Sequence, residues 1–124
     1  MTNVERIDVG SHVLDIMKDL SVNWRQRKPG PPERVDGFTF GVVTITPGES
    51  PHNGEMHPDG DEILYVVSGT LRLTHDSSDV PVDFTSGEAC IIRRGEWHLV
   101  DCLEPTTLIH ITPGPRGEAR FKHG

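Results

Sequence analysis

Residues Gly48 to Gly69 read GESPHNGEMHPDGDEILYVVSG, with Glu55, His57 and Glu62 inside eight residues and a run of strand formers directly behind them. Thirty-six residues beyond Glu62 comes His98, in the stretch GEACIIRRGEWH. Glu55 and His57 are two apart, so a strand turns both side chains to one side. Glu62 follows the turn Pro58-Asp59-Gly60-Asp61 and opens the next strand. A hairpin closed in register carries its carboxylate to the same interior. His98 arrives from the other half of the chain. Two carboxylates and two imidazoles on separate strands form a metal-ligand set that leaves coordination positions open. His52 competes with Glu55 for a place in it, although its odd separation and the neighbouring Pro51 argue against a strand ligand.

Outward from this stretch the pattern is of short strands. FTFGVVTIT, from Phe38 to Thr46, ends at the Pro47-Gly48 turn, and Phe38, Phe40 and Val42 alternate along one face, expected in the core, with a pocket wall as the alternative. Glu55–His57, Glu62–Val67, Leu71–Thr74, Pro81–Phe84, Ala89–Arg93, Trp97–Cys102 and Thr106–Thr112 supply the others, and HDSSDV reads as a polar hairpin connection. Upstream, Val4–Val9 is a candidate strand. Val13, Ile16, Met17 and Leu20 recur at helical spacing behind Ser11, a capable cap, which predicts one short helix. RQRKPGPPERVDG, residues 25–37, is a polar loop, and the tail from Pro113 lacks any apolar period. About eight strands, turns every 8–12 residues and no βαβ alternation predict an all-β jelly-roll barrel.

The 124 residues suffice for a single domain: an arm over 1–37, a barrel over 38–112 and a loose tail over 113–124. Thirteen Gly and ten Pro agree with many tight turns. A net charge of -7 without a basic stripe argues against nucleic acid and against an anionic membrane surface. No segment approaches the ~20 apolar residues of a membrane span. The first ten residues lack the apolar core of a signal peptide, so a cytoplasmic location is expected, with Cys90 and Cys102 as free thiols.

The two motif stretches resemble the cupins. The first cupin motif runs Gly, five residues, His-x-His, three or four residues, Glu, six residues, Gly. Here Gly48 is followed by six residues, then Glu55-Met56-His57, Glu62 and Gly69. The second runs Gly, five residues, Pro-x-Gly, two residues, His, three residues, Asn. It is matched in spacing by Gly87, Arg93-Arg94-Gly95, His98 and Cys102. Three departures stand out: Glu55 replaces the first metal histidine, Arg93 the proline and Cys102 the asparagine. The resemblance implies a cupin-type barrel whose metal ligands are His57, Glu62 and His98, with Glu55 matching by position. Such a set brings two negative charges to a divalent ion, which favours Fe, Mn or Zn over copper and weakens the ion as a Lewis acid.

The resemblance further implies oxygenase, isomerase, lyase or decarboxylase chemistry on a small oxygen-rich molecule, in a protein that dimerises through sheet edges, with the N-terminal strand and helix as the candidates. The alternative is a noncatalytic binding or sensor module whose metal is structural or absent. His110, mid-strand in LIHIT, lines the cavity as a general acid/base if it faces inward. Cys102 shares parity with His98, and Trp97 falls on the opposite side. His12, His75 and His123 read as solvated or unpartnered.

Overall fold

The computed structural model describes residues 3–50 and 52–120, and every described element is a strand. In chain order they are β1 (His12–Met17), β2 (Val22–Gln26), β3 (Gly37–Ile45), β4 (Glu55–Met56), β5 (Glu62–Ser68) and β6 (Thr70–His75). After these come β7 (Ser78–Thr85), β8 (Ala89–Ile92), β9 (His98–Cys102), β10 (Thr106–Pro113) and β11 (Glu118–Ala119). They form two antiparallel sheets. One has the order β2-β1-β3-β10-β5-β8 and the other β11-β4-β9-β6-β7. Within each motif stretch the two strands, β4 and β5 in the first and β8 and β9 in the second, fall in different sheets, as in a jelly roll.

The two sheets bury an apolar core of Leu64, Val66, Leu71, Leu73, Ile92 and Leu108. Alternation along β5 puts Glu62, Leu64 and Val66 inside and Ile63, Tyr65 and Val67 outside. The core fills one end of the barrel. At the other end the interior turns polar. Asp15 is buried between Arg25, whose Nε lies 2.7 Å from its Oδ2, and the Thr39 hydroxyl at 2.8 Å from its Oδ1. A polar lining at one mouth of a barrel positions a site without interrupting the core.

The expected N-terminal helix is a strand. Residues 12–17 pair with both β2 and β3, so the segment is covered by neighbours on each edge and carries apolar groups on both faces. Val13 and Asp15 point inward, while Leu14 and Ile16 point outward, and apolar residues on both faces imitate a helical stripe. A hairpin follows, with Leu20 at φ 72° and the Ser21 N–H bonded to Asp19. Val4–Val9 forms no strand; Asp8 instead accepts the Ser11 and His12 N–H groups in a turn.

Two more expectations need correction. Phe38, Phe40 and Val42 do share a face, but it is the outer one; Thr39, Gly41 and Val43 line the interior. The stretch expected to be a loose tail is paired as far as residue 120. There β11 pairs with β4, Arg116 binds Asp59 at 2.7 Å, and Arg120 reaches Asp76 at 2.5 Å. His123 lies outside the described residues. The polar connection at 75–80 shrinks to a turn at Asp76-Ser77, because β6 and β7 extend into it.

Candidate metal centre

Glu55 on β4 lies directly opposite His98 on β9. His57 follows β4, and Glu62 is the first residue of β5. One ligand atom from each of the four lies within 4.8 Å of all the others. His57 is 6%, Glu62 3% and His98 2% exposed, whereas the Glu55 side chain keeps 25% of its surface in solvent. His98 Nε2 sits 3.1 Å from Glu62 Oε1 and 3.5 Å from Glu55 Oε1, and His57 Nε2 is 3.6 Å from each carboxylate.

The turns that carry these ligands are tied together by polar contacts. Asp61 accepts the Arg94 N–H at 2.8 Å and an N–H of Arg93 at 3.2 Å, locking the two motif turns to each other. Arg93 thus holds by an ion pair a turn that proline would hold by its ring. Gly69 closes the hairpin between β5 and β6 at φ 92°, where a Cβ would meet Thr106 Oγ1 at 2.4 Å. Its departure for any other residue would move the strand that begins at Glu62.

The fit to a cation can be tested on the donor atoms themselves. His57 Nδ1 and Nε2, Glu62 Oε1 and His98 Nε2 are all buried and have no hydrogen-bond partner. Three of these, His57 Nε2, Glu62 Oε1 and His98 Nε2, turn toward one point, and each would carry a desolvation penalty of roughly 1–3 kcal/mol that a shared divalent ion removes. The second neighbours agree. His98 Nδ1 faces the Glu96 carbonyl at 2.9 Å and must donate to it, so Nε2 holds the free lone pair. The set fits a hard or borderline divalent ion.

Electrostatics without an ion point the same way. Burial opposes ionisation of Glu55, but His57 and His98 beside it hold its carboxyl well below the usual carboxylate range. Burial likewise disfavours the imidazolium of His98. Glu55, Glu62 and the Glu96 carbonyl outweigh it and raise that group to about 10. A proton on His98 is the natural stand-in for a cation among these carboxylates.

His52 stands outside the cluster. Its Nδ1 accepts the Gly54 N–H at 3.1 Å, so the proton is on Nε2, which faces the far oxygen of Glu55 at 3.5 Å. It is placed to orient Glu55 rather than to replace it.

His110 faces inward. Its Nδ1 is 2.8 Å from Thr112 Oγ1, and that hydroxyl donates to Glu62 Oε2 at 2.6 Å. Because Thr112 gives its only proton to Glu62, it must accept one from His110, which fixes the Nδ1–H tautomer and frees Nε2. Nε2 lies over Gly41, where a Cβ would stand 2.3 Å away. Burial, with Arg34 adding to it, lowers His110 to about 4, so the ring is neutral near pH 7. The Thr112 contact and the cavity-lining Arg34 were not singled out by sequence. The parity of Thr112 with His110 was the available signal; nothing distinguishes Arg34 from other cations of its polar loop.

The remaining candidates do not converge on the site. Cys90 and Cys102 are free thiols, and burial, with Glu62 adding, pushes Cys90 up to about 11. Cys102 is buried. Trp97 stacks under Arg120, whose guanidinium lies 4.1 Å from the ring centroid. His75 faces Glu96 at 3.5 Å, and His12 packs edge-on against Trp24.

Residues 41–112 match the family described as cupin domain. No curated protein matches the sequence. Among solved structures, oxalate decarboxylase from Bacillus subtilis at pH 4.6 superposes with a TM-score of 0.56 at 22% identity. The match covers 66% of this chain and 23% of that one. A second structure of that enzyme, from work on its Mn(II) centres, gives a TM-score of 0.55 at 22% identity, with the same coverage of 66% and 23%. These likenesses establish the fold.

Proposed function

The chain belongs to the cupin domain family, and we propose that within it this is a metal-dependent enzyme acting on a small oxygen-bearing organic molecule. The observation that carries the reading is the convergence of Glu55, His57, Glu62 and His98, with one buried and unpartnered donor atom from each of the last three turned toward the centre. The two carboxylates make Mn, Fe or Zn the suitable ions, and Mn comes first for so oxygen-rich a set. The description of Mn(II) centres in a structural neighbour supports that order. A divalent ion at this position supplies Lewis-acid polarisation of substrate oxygens.

The chain's own residues do the rest. Glu55 is the most exposed of the four and marks the side from which a ligand approaches. Neutral His110 offers Nε2 as a base on the cavity wall, and the Thr112 hydroxyl holds its ring in place through Glu62. The noncatalytic alternative has either no ion or a coordinatively saturated one. Water-proton relaxation of the Mn-loaded protein separates the two readings. We expect strong enhancement, from exchangeable water on the ion; loaded protein without enhancement would contradict the enzyme reading.

The same proposal includes a homodimer, formed through a sheet face rather than an edge. Cross-strand neighbours Trp24, Leu14, Phe40, Ile111, Ile63 and Ile91 make one outward apolar row across all six strands of the larger sheet. Val22, Ile16 and Phe38 flank it on one side, and Val42, Ile109 and Tyr65 on the other. Strand spacing gives this face roughly 500 Å², toward the upper end of the largest apolar patch a monomer ordinarily exposes. None of these twelve residues is charged, so a second copy of the same face is its natural complement.

A further inference from the structure

Beside the metal centre, a cavity of about 400 Å³ lies between the loop after β2 and the inner faces of β1, β3 and β10. Its wall holds Arg25, Arg27, Lys28 and Arg34, four of the twelve Lys and Arg residues in a chain of net charge -7. Glu33 is the one acid in that wall. Asp15 neutralises Arg25, and Arg27 spends one N–H on the Val42 carbonyl. No described carboxylate lies within ion-pair distance of Arg27, Lys28 or Arg34. A concentration of unpaired cations inside an acidic protein is a local field that selects anions.

The lining also has apolar members, Val13 and Val43 on the strands and Pro31 and Pro32 in the loop. A volume of this size belongs to pockets that enclose an organic molecule rather than a bare ion. His110, which shares the cavity lining with the partly buried Arg34, connects the cavity to the metal centre through the Thr112 hydroxyl and Glu62. The ligand set accounts for the need. Two carboxylates and two neutral imidazoles cancel the charge of a divalent ion, so the pull on an anionic group must come from the wall. Where Glu55 takes away a positive increment, Arg34 supplies one.

We propose that this cavity binds a small organic carboxylate, its charged end on Arg34, Arg27 and Lys28 and its apolar body against Val13 and Val43. Its catalytic meaning rests on the metalloenzyme reading, while the recognition rests on the wall alone.

Calorimetric titration with benzoate and with its neutral isostere benzamide tests it. The wild type, Arg34→Gln and Lys28→Gln would each be titrated with metal loaded and after chelation, with metal content measured alongside. Benzoate should bind about tenfold or more tightly than benzamide, because charge-assisted bonds to guanidinium are lost in the amide. Arg34→Gln should lose that preference while keeping its metal, and Lys28→Gln, in the exposed loop, should weaken benzoate about threefold. Benzoate binding should survive chelation and weaken as salt is raised. Equal binding of acid and amide, or benzoate affinity unchanged in folded Arg34→Gln, overturns the proposal. Should Arg34→Gln not fold, an affinity indifferent to both Lys28→Gln and salt does the same. Binding abolished by chelation would assign recognition to the metal and also overturn it. A wild type that binds benzoate yet takes up no metal contradicts the metalloenzyme reading alone.

Discussion

Glu55 and His98 face each other across β4 and β9, His98 Nε2 3.5 Å from Glu55 Oε1, and in the absence of an ion the carboxylates favour a proton on His98. His98 is raised to about 10, above its ordinary 6.5, and Glu55 is lowered from 4.5. A raised imidazole stabilises the fold fully below pH 6.5, and that contribution is lost as pH climbs toward about 10. A lowered carboxyl stabilises above pH 4.5, and is lost as the medium becomes more acid than that. His110, lowered to about 4, acts in the opposite sense and takes stability away as pH falls below 6.5, so the chelated protein should be most stable near pH 6.5 and weaker at pH 9. The loaded protein should show no such fall at pH 9, since a metal-bound imidazole has no proton to lose. Urea midpoints at both pH values, with and without chelator, give the comparison. Equal midpoints in the chelated protein would remove the proton on His98. Gly41 is tested separately. Gly41→Ala places a methyl 2.3 Å from His110 Nε2, and overpacking of this kind should cost about 1–3 kcal/mol in a denaturation curve.

At the scale of elements, the β1–β2 hairpin closes the polar end of the barrel through Asp15. That carboxylate is buried, with Arg25 and Thr39 as partners. Asp15→Ala should destabilise by about 3 kcal/mol, since it strands a partly buried guanidinium and a buried hydroxyl. A loss below about 0.5 kcal/mol in urea unfolding would show the network to be slack. This hairpin is also where sequence and structure part. The motif strands from β3 to β10 are readable because one face is apolar and turn glycines fall at fixed intervals. In β1, Asp15 lies inside and Leu14 and Ile16 outside, so period two is erased and a helical stripe remains. The grouping of Glu55, His57, Glu62 and His98 was legible from their spacing and from the motif resemblance. Two features were not. His52 and Thr112 act through a proton whose position only the neighbouring atoms reveal. Arg34 enters the cavity through a loop whose path no local pattern encodes.

At the scale of the whole molecule, the two sheets have different tasks. The smaller sheet carries Glu55 and His98, and the larger carries Glu62, His110 and an apolar outer face. Trp24 and Ile91 lie on opposite margins of that face, 51% and 56% exposed. Trp24→Glu combined with Ile91→Lys should turn a dimer into a monomer in light scattering, with the metal retained. A wild type that is monomeric at high concentration removes the interface. The barrel as a whole exists, on this account, to bring four side chains from distant parts of the chain to one ion. The most direct measurement is elemental analysis of the purified protein beside Glu55→Ala, after equal exposure to Mn, Fe and Zn. One divalent ion per wild-type chain is expected, with metal affinity in the variant weaker by roughly tenfold or more. Equal metal content and affinity in the two proteins would contradict the four-residue centre.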